Sequence, residues 1–170
     1  MGKIEYFPIV RESGEVIGKA TRNECHSGSF LLHPVIHLHI FNSLGELYLQ
    51  KRSINKDIQP GKWDTSVGGH VDYGEEVMKA LFREVHEELG IINFEPKFIT
   101  RYKFQSKQEA ELVSVFVAIY NGDIQPDPIE ISEGKFWKIK QIEDQIGKSV
   151  FTPNFEQEFM NVIVKYIELD

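Results

Sequence analysis

Gly69-His70-Val71-Asp72-Tyr73-Gly74-Glu75-Glu76-Val77-Met78-Lys79-Ala80-Leu81-Phe82-Arg83-Glu84-Val85-His86-Glu87-Glu88-Leu89-Gly90-Ile91 decides how this chain is read. Met78, Leu81, Phe82, Val85 and Leu89 recur at the i, i+3, i+4, i+7 spacing of a buried stripe, which predicts an amphipathic helix over about residues 74–89. Residues three and four apart are neighbours on a helix, so Glu84, Glu87 and Glu88 gather on a flank beside that stripe. Like charges so placed repel by roughly a few tenths of a kcal/mol per pair on a bare helix. A Glu87-Glu88 pair alone would be an ordinary solvated face. Three carboxylates after a glycine loop, Gly68-Gly69, call for a hard divalent cation that prefers oxygen ligands, and magnesium or manganese fits. The glycines permit close approach of backbone to metal or phosphate, because they carry no Cβ.

The same string fits the pattern G-x5-E-x7-R-E-U-x-E-E-x-G-U, with U aliphatic, at Gly69, Glu75, Arg83, Glu84, Val85, Glu87, Glu88, Gly90 and Ile91 without a gap. Seven fixed positions at roughly 7% usage each make a chance match of the order of 10⁻⁸ per starting point. On these residues the chain resembles the Nudix hydrolases. The resemblance implies an α/β fold, a Nudix-like α/β/α sandwich with a central mixed sheet. It also implies cleavage of the diphosphate linkage of a nucleoside diphosphate derivative or another organic diphosphate, with Mg2+ or Mn2+. Carried over position by position, Glu84 and Glu88 are direct metal ligands, Glu87 is a further ligand or a base acting through water, and Arg83 with Glu75 forms a supporting ion pair.

A chain of 170 residues buries a core without staples, so one domain over residues 1–170 is expected. A formal net charge of -7 argues against a phosphate-backbone partner, which needs a basic face. The lone cysteine, Cys25, forms no internal disulfide, and no apolar run approaches the length of a membrane span. The start, Met-Gly-Lys-Ile-Glu-Tyr-Phe, lacks the apolar core of a signal peptide. The expectation is a cytoplasmic enzyme with a small-molecule diphosphate substrate and no nucleic-acid or membrane partner.

Residues 4–10 and 15–20 read as an N-terminal hairpin within residues 1–22, turning at Glu12-Ser13-Gly14, which caps the sheet or serves a homodimer contact. Pro34 to Phe41 and Glu46 to Arg52 form a second hairpin around Asn42-Ser43-Leu44-Gly45. Pro60-Gly61-Lys62-Trp63 turns into the glycine loop. Strands are expected over 94–104, 112–120 and 135–139, a helix over 139–146, and a last amphipathic helix over about 154–167 with Phe155, Phe159, Val162, Ile163 and Tyr166 on one face.

A second constellation lies outside the helix. Thr21-Arg22, His26, His33-Pro34, Lys51-Arg52, Pro60-Gly61-Lys62-Trp63 and Gly69-His70 resemble the type I isopentenyl-diphosphate isomerases, a Nudix subgroup, over roughly residues 15–120. That resemblance implies a second metal set of His26, His33, His70, Glu109 and Glu111, with Tyr102 aligned to an active-site tyrosine. Glu109 and Glu111, two apart on a strand, share a face. Imidazole nitrogens with carboxylate oxygens suit zinc, manganese or iron-group metals better than calcium. Two departures favour hydrolysis over isomerisation. Gly68 stands where the isomerases carry an acid-base cysteine, and those isomerases have a degraded Nudix signature where this chain keeps every charged position. Protonating and deprotonating an allylic system on opposite faces needs two placed groups, of which Glu111 alone remains. In a hydrolase Glu111 is instead a base or an extra ligand.

Lys51, Arg52 and Lys62 with Gly69 are the candidate substrate contacts, a basic rim for a diphosphate or else an exposed strand end. Trp63 and Tyr102 stack on a base or line an apolar pocket, and Phe104 reads as core. His37 and His39 read as sheet residues and His86 as helix surface. Two other functions stay open: an isopentenyl-diphosphate isomerase, and a catalytically silent Nudix domain that binds a ligand, which predicts a lost signature carboxylate.

Overall fold

The computed structural model, which describes residues 2–170, opens with an antiparallel hairpin of β1 (Tyr6–Val10) and β2 (Val16–Thr21) and a helical turn α1 (Arg22–Cys25). Thr21 and Glu24 exchange hydrogen bonds in a capping box that starts this turn. β3 (Leu32–Phe41), β4 (Leu47–Arg52), β5 (Trp63–Asp64) and β6 (Val67–His70) follow. Helix α2 (Val77–Leu89) leads to β7 (Lys97–Gln105), β8 (Ala110–Ile119) and β9 (Ile131–Trp137). The chain ends in α3 (Ile139–Gln145), α4 (Pro153–Glu158), a π turn (Phe159–Ile163) and α5 (Val164–Leu169).

β3 is the hub of the seven-stranded mixed sheet. It runs parallel to β8 along its whole length, with His33 opposite Glu111, and antiparallel to β6 and then β4 on its other edge. Side chains alternate across a strand. Ile36, Leu38 and Ile40 therefore join Val67, Phe116 and Ala118 on the face where α2 packs Ala80, Leu81, Val85 and Leu89. His33, His37 and His39 take the other face, where Phe155, Phe159 and Ile163 of the C-terminal helix cover Leu47, Leu49, Val117 and the two tryptophans. Helices on both faces of a mixed sheet make the α/β/α sandwich that the family resemblance implied.

Several expected boundaries shift, each for a local reason. The helix begins at Val77 rather than Gly74, because Gly74 takes a left-handed conformation (φ +85°) in the turn before it. Its buried stripe is Ala80, Leu81, Val85 and Leu89; Met78 and Phe82 stay exposed, and Phe82 lies against Phe94 instead. The glycine loop is a strand: Gly68 and Gly69 pair with His37 and Ile36 of β3, whose free edge offers them a ladder. β7 starts only after Pro96, which has no N–H to give. β9 begins at Ile131, not Lys135, and pairs with β4 throughout. The final helix starts at Pro153, capped by the Thr152 hydroxyl, and a π turn interrupts it. Among the described residues no helix is long and apolar enough to cross a membrane.

Candidate active site

The carboxylates of α2 meet the backbone of β6. A Cβ built on Gly69 would stand 2.6 Å from Glu84 Oε2 and closer still to the carboxyl carbon, so any other residue here would displace this side chain from the place where Arg83 anchors it. Arg83 gathers the acids around it: its guanidinium donates to Glu75 (2.8 and 2.9 Å), Glu84 (2.8 Å), Glu87 (3.4 Å) and the His70 carbonyl (3.0 Å). That clamp holds Glu75 below the ordinary carboxylate range. Glu84 goes the other way. Burial raises its pKa to about 7 against the pull of Arg83. Burial, and then the Glu84 charge, pushes Glu88 well above the normal range, with the Gln50 amide 3.4 Å away working against the shift. Glu87 remains exposed. Carboxylates this costly to ionise in place are what a divalent cation relieves.

A second centre sits under the N-terminal hairpin. Atoms of His26, His33, His70 and Glu109 lie within 4.8 Å of one another. His26 Nε2 is 3.2 Å from His70 Nε2 and 3.0 Å from Glu109 Oε2, and His33 Nε2 is 3.7 Å from the same oxygen. The Leu31 carbonyl accepts from His33 Nδ1 at 2.9 Å, which fixes the tautomer and leaves a lone pair on Nε2 turned inward. His33 Nε2 is buried without a hydrogen-bond partner, and Glu109 Oε2, though 3.0 Å from His26 Nε2, makes no well-aligned hydrogen bond. Burial lowers the pKa of His33 and, more strongly, of His70, so both stay neutral. Phe7 of β1 stacks on His70 at 4.4 Å and forms the floor. Orphaned inward-facing atoms, neutral imidazoles and a carboxylate fit a metal of the zinc, manganese or iron type. Glu111 stands beside this quartet rather than in it, on β8, where burial and the Glu109 charge raise its pKa to about 8.

A third assembly was not legible as a site. Glu158 accepts from His37 Nδ1 (2.8 Å), His39 Nε2 (2.5 Å) and the Tyr102 hydroxyl (2.6 Å). One signal was present: Glu158 falls on the apolar face of the last helix, three residues after Phe155 and four before Val162.

Of the basic residues, Arg52 is engaged by the Ile58 carbonyl (3.0 Å) and by Asp64 (3.5 Å), while Lys51 and Lys62 are half-buried near the same strand ends. Trp63 takes the core alternative. It is buried edge-on against Trp137 with Lys135 over its ring. Phe104 packs beside Val35, Val113 and Val115.

A helix with paired acids laid against a glycine strand, on a mixed sheet between helical layers, defines a class of α/β/α sandwich. The NUDIX domain family model matches residues 31–155, and the chain belongs to that family, the Nudix hydrolases. It is 33% identical to an isopentenyl-diphosphate Delta-isomerase 1 of Photorhabdus laumondii over 97% of this chain and 98% of the relative. It is also 37% identical to an uncharacterized Nudix hydrolase of Nostoc over 75% of both chains, and 35% identical to another from Pseudomonas aeruginosa over 78% of both. In fold it is similar to a Deinococcus radiodurans crystal structure (TM-score 0.78, 24% identity, 90% of this chain and 96% of that one). A MutT protein of Methanosarcina mazei is similar too (TM-score 0.66, 25% identity, 76% and 91%).

Proposed function

We propose that the chain, working as one domain over residues 1–170, hydrolyses the diphosphate linkage of a nucleoside diphosphate derivative or another organic diphosphate with Mg2+ or Mn2+. The observation that carries this reading is the packing of Glu84 and Glu88 against Gly68-Gly69 with every acidic position of the signature present. Glu84 and Glu88 would hold the cation, Glu87 would serve as a further ligand or as a base through water, and Arg83 with Glu75 would orient Glu84. A bound divalent cation neutralises charge on nonbridging phosphoryl oxygens and lowers the pKa of water. Glu111, whose raised pKa suits proton transfer near neutrality, is the alternative base. Lys51, Arg52 and Lys62 would form the rim that receives the diphosphate. The soluble-type fold and small-molecule chemistry agree with a cytoplasmic setting.

One observation favours the isomerase reading: the quartet of His26, His33, His70 and Glu109, together with the Photorhabdus relative. Against it, Gly68 brings no thiol, and the side chain lying against that glycine is His37. The silent-domain reading needs a missing carboxylate, and none is missing. The test is a panel of nucleoside diphosphate derivatives, nucleoside triphosphates and isoprenoid diphosphates with magnesium and with manganese, assayed for phosphate release and for double-bond migration. Phosphate release from at least one compound is expected. Isomerisation without any hydrolysis would reverse the order of the two readings.

Two further outcomes follow from the geometry. Gly69→Ala forces its methyl into the Glu84 carboxyl and should lower turnover at least tenfold without loss of fold. Gly68→Ala, whose Cβ would meet His37 at an ordinary 3.5 Å, should cost far less; equal effects would remove Gly69 from the site. Protein produced with added manganese should carry metal that His26→Ala and His33→Ala variants lose, measured as bound metal per chain. Unchanged metal content in those variants would leave the quartet a purely structural cluster.

A further inference from the structure

The Glu158 assembly has no part in the reading above, yet its hydrogen bonds locate a charge. Glu158 is 1% exposed, and both its oxygens are taken by donors: Oε1 by His37 and Tyr102, Oε2 by His39. It is therefore a carboxylate, and a buried carboxylate demands a counter-charge. Two imidazoles compete to supply it. A second proton on His39 would sit on Nδ1, which is sealed in the core with no acceptor, at the cost of an orphaned buried donor. A second proton on His37 sits on Nε2, which makes no hydrogen bond among the described residues and is not sealed off, the side chain being 12% exposed. The positive charge resides on His37.

That charged edge lies at the glycine strand. His37 pairs with Gly68 in register, and a Cβ at Gly68 would stand 3.5 Å from His37 Cδ2 and 3.7 Å from Nε2. The next residue along, Gly69, receives Glu84 on the opposite side. The titratable groups facing His37 are Glu158 from α4, Glu111 from β8, Asp64 from β5 and His70 from β6, while Tyr102 from β7 and His39 from its own strand reach it through Glu158. An anion entering walls this acidic needs a fixed donor with positive charge.

We propose that His37 is a substrate-contacting residue, its Nε2–H donating to a phosphoryl oxygen of the bound diphosphate, and that Glu158 is the positioning residue that fixes the ring and its charge. The assignment deepens the hydrolase reading and rests on it. Burial opposes the charge, but the Glu158 carboxylate outweighs it and lifts the His37 pKa to about 9. At neutral pH the donor is therefore present before substrate arrives, which spares the site a reorganisation.

The test is calorimetric binding of magnesium methylenediphosphonate, a diphosphate whose bridge does not hydrolyse, to the full chain. His37→Asn keeps an amide donor near the Nδ1 position for Glu158 and removes the edge over Gly68. Affinity should fall at least about tenfold, the loss expected for a hydrogen bond to a charged group, measured at a temperature where circular dichroism shows the variant folded, since stranding the Glu158 charge lowers its unfolding midpoint. In the unsubstituted protein the His37 Nε2 resonance should shift when the probe is added, a readout independent of any variant's folding. In Glu158→Gln the imidazolium signature of that resonance at pH 7 should be lost. Affinity within twofold of the unsubstituted chain together with an unmoved Nε2 resonance overturns the assignment, as does failure of the unsubstituted chain to bind the probe. The hydrolase reading is judged apart, by phosphate release in Glu88→Gln. Loss of release there with unchanged binding in His37→Asn sinks the His37 assignment alone.

Discussion

Glu88→Gln should lower magnesium-dependent turnover by about 10³-fold or more while raising the melting temperature of the metal-free protein. The first half follows from charge: stabilising a phosphoryl transition state with a cation contributes several kcal/mol, and about 1.4 kcal/mol is a tenfold change in rate. The second half is less intuitive. Glu84 and Glu88 both have pKa values raised above the ordinary 4.5, chiefly by burial. A carboxyl raised in the folded state contributes stability below its unfolded pKa and loses it as pH climbs through the folded value, for Glu84 about 7. At pH 8 the metal-free site is therefore a local liability. An uncharged amide of the same shape relieves it, and about 1 kcal/mol moves the midpoint of a domain this size by roughly 2–4 °C. Thermal unfolding in chelator at pH 8 measures this. Magnesium should then stabilise the unsubstituted chain more at pH 8 than at pH 5, and Glu88→Gln little at either. A variant that is fully active would show that Glu88 holds no cation, and one less stable than its parent in chelator would show that the buried Glu88 carboxyl is not a liability in the metal-free fold.

The α2 half of this picture was legible because its information is local. One helix period places Glu84, Glu87 and Glu88 together, and one motif fixes their spacing from Gly69. The histidine quartet was reachable only through resemblance, since His26, His33, His70 and Glu109 come from four separate segments that the β3 register and the hairpin bring together. What stayed hidden needed long-range pairing. Glu158 meets His37 and His39 across 121 and 119 residues, and nothing within either segment announces the other. His37 and His39 looked like plain sheet residues for the same reason. Boundaries failed where tertiary context overrode local chemistry. Gly68-Gly69 has the composition of a loop, but the open edge of β3 makes it a strand. Met78 and Phe82 fit the apolar period, but the sheet reaches only the Leu81, Val85 and Leu89 side of the helix.

Glu158→Gln should remove about 3–5 kcal/mol of stability at pH 6, because truncating one member of a buried ion pair strands the other's charge. The same substitution should flatten the pH dependence of unfolding. His37 has its pKa raised from 6.5 to about 9, so its contribution is complete below 6.5 and is lost as pH rises through 9. Glu158 is held below the usual carboxylate range, the His37 charge outweighing burial, so its contribution is complete above 4.5 and is lost as pH falls beneath that. The pair is worth most between about pH 4.5 and 6.5, and on the order of 3 kcal/mol should disappear by pH 9. Glu84, Glu88 and Glu111 also lose stability as pH rises, so the two origins must be separated. Saturating magnesium acts on the α2 carboxylates and not on His37. Denaturant titrations at pH 6 and pH 9, with and without magnesium, should therefore leave a residual decline, part of it from Glu111, that is smaller in Glu158→Gln than in the parent. If the substituted chain matches its parent at pH 6, or keeps the same residual slope, the His37 charge does not depend on Glu158.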